Sequence, residues 1–132
     1  MNGNIEAIAT SQAPLALGAY SQAVKANGFI FVSGQLGIDP ATGELDGGSA
    51  AEQATRALKN IRAILDAAGA GFEHVVRATI YLKNVDDFAE VNARYADMFT
   101  GTVKPARVAF GNNMIPNGAL VEIDAIAVDP KA

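Results

Sequence analysis

The chain has 132 residues and a mass of 13.6 kDa, room for one domain around one hydrophobic core, since folding at this size hides roughly two-thirds of the unfolded surface. Half of the residues are apolar and 18% are charged, with 10 basic against 14 acidic side chains and a net charge of −4; this excludes a disordered chain and argues against non-specific attraction to nucleic acid or anionic membranes. Zero cysteines exclude disulfides, thiolate nucleophiles, zinc fingers and iron–sulfur ligation. The stretch MNGNIEAIAT lacks the basic and apolar segments of a signal peptide, and no apolar run reaches membrane-spanning length, so the cytoplasm is the expected compartment.

A single domain over 1–132 is expected, because no linker, repeat or low-complexity tract interrupts the chain. After a short apolar segment, Ile5 to Ala9, a polar stretch leads into Leu17-Gly18-Ala19-Tyr20-Ser21-Gln22-Ala23-Val24. Lys25 to Ser33 reads as a hairpin: Asn27-Gly28 is a strong two-residue turn signal, and Phe29-Ile30-Phe31-Val32 is aromatic and β-branched. Asp39-Pro40-Ala41-Thr42-Gly43 is a second turn. Ser49-Ala50-Ala51-Glu52 has the capping-box pattern; Ala54, Leu58, Ile61 and Leu65 follow as one apolar helical stripe, and Gly69 is placed to end it. Arg56, Lys59 and Arg62 share the outer side, a face that can contact RNA but is better explained by solvation opposite the core.

His74 to Lys83 alternates as a strand, with Val76, Ala78, Ile80 and Leu82 on one side and Arg77, Thr79, Tyr81 and Lys83 on the other. Asn84 can cap a second helix whose buried stripe is Phe88, Val91, Tyr95 and Phe99, with Pro105 beyond its end. Ala106 to Phe110 and Ala119 to Val128 read as two further strands. The economical assembly is an α+β mixed sheet of five or six strands with both helices packed on one face. Phe29 and Phe31 then oppose Ile30 and Val32, while Leu120 and Ile126 oppose Val121 and Ile123, so both sheet faces are apolar. Two helices cover one face only, and another subunit is expected over the other.

Elimination sorts the chemistry. His74 is the sole histidine, and without a second histidine or any cysteine it anchors no ordinary transition-metal site. Asp86-Asp87 and Glu44-x-Asp46 are explained as a helix start and a turn, and Gly69-Ala70-Gly71 lacks the third glycine of a dinucleotide fingerprint. Two charges stand out. Arg107 sits within Pro105-Ala106-Arg107-Val108-Ala109-Phe110, and Glu122 within Leu120-Val121-Glu122-Ile123. Three readings stay open at this point: an Arg107–Glu122 ion pair across neighbouring strands, sheet edges open to water, or an anionic-substrate site. In the last, the guanidinium fork takes a carboxylate bidentately and the glutamate holds water, with Tyr20, Ser33 and Asn92 adding neutral hydrogen bonds.

Several separated stretches, in order, give a resemblance along essentially the whole chain. They are Gly18-Ala19-Tyr20-Ser21-Gln22-Ala23, Phe31-Val32-Ser33-Gly34-Gln35 with Asp39-Pro40-Ala41-Thr42-Gly43, Val91-Asn92-Ala93-Arg94-Tyr95, Lys104-Pro105-Ala106-Arg107 and Gly118-Ala119-Leu120-Val121-Glu122-Ile123. In these the sequence resembles the reactive-intermediate deaminase family, also called Rid or YjgF-like. The resemblance implies a chorismate-mutase-like α+β fold in a homotrimer with clefts between subunits. It also implies hydrolysis of 2-imino acids, formed from the enamines that pyridoxal-phosphate enzymes release, to 2-keto acids and ammonia, with no cofactor or metal. By the same resemblance Arg107 binds the substrate carboxylate, Glu122 positions the attacking water, and Tyr20, Ser33, Gly34, Phe88 and Asn92 line the cleft, with Ala109 beside them.

The chain departs from the family's pattern at named places. Where members often carry cysteine two residues after the arginine, it has Ala109; where Gly-Pro-Tyr is common, it has Gly18-Ala19-Tyr20; and Phe110-Gly111-Asn112-Asn113-Met114 is atypical in composition. The alternatives to the deaminase of small enamines are a non-catalytic, ligand-binding or chaperone-like trimer and a deaminase specialised for a larger catabolic enamine. An RNA-cleaving activity, a label that some members bear, is opposed by the net acidity and the lack of a histidine pair.

Overall fold

The computed structural model describes residues 4–132, so Met1 to Gly3, part of the stretch read above for a leader, lie outside the described residues. The strands are β1 (Ile5–Ile8), β2 (Ala23–Ala26), β3 (Phe29–Leu36), β4 (Val75–Leu82), β5 (Ala106–Phe110) and β6 (Val121–Val128), and the helices are α1 (Ala50–Ala67) and α2 (Phe88–Met98). They form one six-stranded sheet in the order β1-β2-β3-β6-β4-β5. All neighbours are antiparallel except β4 and β5, which run parallel and are joined by α2.

Local chemistry accounts for the elements. Asn27 and Gly28 take φ of 52° and 84°, the two left-handed positions that a hairpin turn matched to strand twist requires. At α1 the Ser49 hydroxyl accepts from the Glu52 amide (3.1 Å) and the Glu52 carboxylate accepts from the Ser49 amide (3.2 Å), the full capping box. At its other end the Gly69 amide donates to Asp66 and the Ala70 amide to Leu65, with Gly69 at φ 85°, the left-handed stop that the sequence predicts.

Both helices pack on one face. Leu58, Ile61 and Leu65 of α1 and Val91 and Tyr95 of α2 are buried against Ile30, Val32, Ala78, Ile80, Leu82 and the odd-numbered residues of β6 from Val121 to Ala127. Buried Asn60 donates to the carbonyls of Leu36 and Ile38 at 3.2 and 2.9 Å, which ties α1 to the end of β3. The opposite face presents Phe29, Phe31, Val76, Val108, Phe110 and Val128, all exposed, around Tyr81, Glu122 and Asp124. The apolar second face expected from the sequence is therefore present and uncovered in the single chain.

Three expectations are corrected. Val76 does not join the core: the β4–β6 register slips between Val75 and Arg77, so Val75 is buried and Val76 is 42% exposed. Asn84 caps a separate 3-10 turn, Val85–Asp87, by accepting from the Asp86 amide at 3.0 Å, and α2 starts only at Phe88. Leu120 precedes β6 and packs against the core, its amide donating to the Gln53 side chain at 2.8 Å, instead of facing the open side. The apolar segment at Ile5 proves to be an edge strand.

Candidate active site

Glu122 lies on the open face of β6, opposite Leu36 of β3 and Tyr81 of β4. The β3–β6 register breaks between Val32 and Gln35, which leaves Ser33 and Gly34 in an irregularity that re-aims the strand. Ser33 donates its hydroxyl to the Ser21 carbonyl at 2.6 Å and its amide to the Gln22 carbonyl at 3.0 Å, fixing the bend against the loop that carries Tyr20. A Cβ on Gly34 would lie 2.6 Å from the Glu122 carboxylate, so the glycine lets this side chain settle onto the backbone. Tyr20, Ser33, Gly34 and Glu122 together line a cleft of about 820 Å³ whose remaining wall is largely apolar, including Leu15, Leu17 and Ile38.

Burial, reinforced by the Asp124 carboxylate on the same face of β6, holds the Glu122 carboxyl above its ordinary value of 4.5. Asp124 itself accepts from the Tyr81 hydroxyl at 3.1 Å. A carboxylate of raised basicity at the edge of this cleft can hold a water and take its proton.

Arg107 lies elsewhere. It pairs in register with Ala78 and so shares the helix-covered face, at the edge strand β5, where it is exposed in the single chain. Its terminal NH1 donates to Asn92 Oδ1 of α2 at 2.6 Å, and the guanidinium carbon stands 5.4 Å from the Phe88 ring centroid and 4.9 Å from that of Tyr95. Asn92, Tyr95, Lys104, Pro105 and Arg107 line a second cavity of about 430 Å³. Ala109, one pleat along from Arg107, packs against the core. Two of the open readings fall differently: β4 separates β5 from β6, and Arg107 and Glu122 face opposite sides, so no ion pair joins them, while β5 is indeed an edge open to water. The described ion pairs are Lys25–Asp129 and Arg56–Asp46, and neither involves these two residues.

The predicted site residues thus fall into two groups, Tyr20, Ser33, Gly34 and Glu122 on one side, and Phe88, Asn92 and Arg107 with neighbouring Ala109 on the other. The sequence places Tyr95 in the buried stripe of α2 and gives it no role in a site. Its signal was there: Phe88, Asn92 and Tyr95 are spaced by 4 and 3, one helical face. Leu15 and Leu17 carry no such signal, since their loop has no periodicity. His74 accepts the Gly71 amide on Nδ1 at 2.9 Å and serves the turn.

The sequence model of the family described as Endoribonuclease L-PSP matches residues 10–129. The chain belongs to this family, the Rid or YjgF family. Among its Rid relatives, a rat protein named 2-iminobutanoate/2-iminopropanoate deaminase is 50% identical over 121 residues, 92% of this chain and 88% of that one. A Yersinia pestis structure, described as a protein of unknown function of the conserved Rid family, matches with TM-score 0.92 and 42% identity over 95% of this chain and 99% of that one. Escherichia coli TdcF, solved with bound serine, matches with TM-score 0.86 and 34% identity over 93% and 98% of the two chains.

Proposed function

We infer that this Rid protein is a hydrolytic deaminase of 2-imino acids, releasing 2-keto acids and ammonia, in a homotrimer of the chorismate-mutase-like type. The observation that carries the reading is the combination, in a chain half identical to a rat protein named for this reaction, of an exposed Arg107 fork and a Glu122 carboxyl of raised pKa. Serine bound to TdcF supports a ligand with a carboxylate beside a small side chain.

The half-sites on opposite sheet faces call for two copies. If the Arg107 side of one copy meets the Glu122 cleft of the next, the contact is heterologous and repeats by rotation into a ring, of which three copies make the smallest above the two-fold dimer. The exposed Phe29, Phe31 and Phe110 on the open face give that ring an apolar interface.

In the composite cleft the free N–H edge of Arg107 takes the substrate carboxylate, and Asn92 fixes the other side of the guanidinium. The protonated imine carbon faces a water held by Glu122. Water adds to that carbon while one of its protons passes to the carboxylate. Glu122 returns that proton to the amino nitrogen of the tetrahedral adduct, the C–N bond breaks and ammonia leaves. The hydroxyl gives its proton to the carboxylate as the C=O of the keto acid forms, and that proton is carried off as ammonium. Orientation does most of this work, because a protonated imine is already electrophilic. No step needs a nucleophilic side chain. Enamines released by pyridoxal-phosphate enzymes in the cytoplasm are the natural source of such imines.

An RNA-cleaving reading, which the family's description suggests, finds no histidine pair in the sequence, and the sole histidine is engaged by the Gly71 amide. The test is ammonia release from 2-iminopropanoate and 2-iminobutanoate generated in situ. Ammonia formed faster than in buffer, saturably in substrate, is expected; release at the buffer rate rejects the proposal in favour of a ligand-binding trimer.

A further inference from the structure

Tyr95 combines three features that its place in the core does not require. It is buried, yet its hydroxyl oxygen has no hydrogen-bond partner. Its ring stacks on Phe99 with centroids 4.2 Å apart and planes at 26°, and Phe99 meets Phe72 edge-on at 4.8 Å. Arg107 lies over the same Tyr95 ring at 4.9 Å. A ring stacked at that spacing leaves no room for a guanidinium on the stacked face, so the arginine takes the other one. The result is a column from Phe72 through Phe99 and Tyr95 to Arg107, with Phe88 flanking the cation. Lys104, the other cation at this cavity, donates to the Phe99 carbonyl at 2.8 Å and braces the column's base.

We propose that Tyr95 is a positioning residue for the Arg107 anchor: its ring face sets the plane of the guanidinium, so that Asn92 takes one edge and the opposite edge is presented to a carboxylate. A long arginine side chain on an exposed edge strand otherwise samples many rotamers, and ordering it on binding weakens carboxylate capture. The aromatic face removes that freedom beforehand through attraction of the cation to the ring's negative centre. The hydroxyl has no part in this. Burial holds it above its usual pKa of 10.0 even with the Arg107 charge pulling the other way, so it stays protonated, and an unpaired buried hydroxyl is a cost that phenylalanine would lack.

The test separates ring electronics from ring volume, and its kinetic arm rests on the deaminase reading. Tyr95→Phe is expected to keep the parental kcat and KM and to melt higher. Pentafluorophenylalanine at position 95, which keeps the shape and reverses the ring quadrupole, is expected to raise KM and the Kd for 2-oxobutanoate by about tenfold with kcat nearly unchanged. In parallel, the Arg107 Nε–Hε resonance is expected at an upfield, ring-shifted position in the parent and in Tyr95→Phe, and at the shift of a freely rotating arginine in the fluorinated protein. Equal KM, Kd and Arg107 shift across the two rings overturns the proposal and leaves Tyr95 as core filling. A parent protein without turnover, in which the Arg107 resonance still responds to fluorination, refutes the deaminase reading and leaves the positioning role standing.

Discussion

Arg107→Lys keeps the positive charge at β5 and removes the planar fork. In the parent, one terminal nitrogen is held by Asn92 Oδ1 at 2.6 Å, and the remaining edge is open to a carboxylate. Lysine offers one ammonium to two acceptors, so at least one charge-assisted hydrogen bond to the substrate is lost, and the flat contact with Phe88 and Tyr95 goes with it. A hydrogen bond to a charged group contributes about 1.5–3 kcal/mol, and at about 1.4 kcal/mol per factor of ten this predicts a fall in kcat/KM of roughly 10- to 150-fold. Stability should fall by no more than about 1–2 kcal/mol, because Arg107 forms no described ion pair and what the lysine loses is the Asn92 hydrogen bond and the contacts with the two rings. Coupled ammonia detection on freshly generated 2-iminobutanoate, with thermal melts on the same samples, reads both quantities. Lysine and alanine variants that both hydrolyse the imine within about threefold of the parent would refute the role of Arg107 as carboxylate anchor.

Glu122 must be ionised to accept a proton, and burial and Asp124 raise its pKa, so kcat should decline as pH falls through a value above 4.5; Asp124→Asn should move that acid limb down without abolishing it, and Glu122→Gln should remove it. A limb that stays in place in Asp124→Asn contradicts the assignment. Gly34→Ala places a Cβ 2.6 Å from the Glu122 carboxylate, the movable end of a side chain, so the fold should survive while turnover falls about tenfold or more, read from kcat beside a melting curve. The sequence has no cysteine, so turnover should be indifferent to thiol-alkylating reagents, and Ala109→Cys should alter the preference between imino acids of different length more than the existence of turnover. An inert parent with an active Ala109→Cys variant would make the thiol essential.

Local signals in the sequence were strong wherever a short-range interaction decides the structure. The Ser49–Glu52 box, the Asn27-Gly28 turn and the Gly69 stop each depend on residues within a few positions of one another. The Leu58–Ile61–Leu65 stripe was legible because one helix face meets one sheet face. Long-range pairing was not legible. Nothing in the residues from Val121 to Val128 says that this last strand inserts between β3 and β4, and only that order puts β4 between Arg107 and Glu122. The slip at Val76 has the same origin, since a bulge arises from two strands together while alternation is a property of one. The individual site residues were found by type and resemblance, whereas their division between two faces required the register of the sheet.

Arg107 and Glu122 act on one imine only if a second copy brings them together, and subunit complementation measures this directly. Arg107→Ala and Glu122→Gln should each be nearly inactive and should each scatter light as a trimer of the 13.6 kDa chain. Unfolded together in equal amounts and refolded, they form mixed rings in which a cleft is complete when the arginine comes from one variant and the glutamate from the other, which random assembly gives at about one cleft in four. Recovery of about a quarter of the parental ammonia release is the predicted result. Mixed rings that remain as inactive as either variant alone would contradict a site shared between copies.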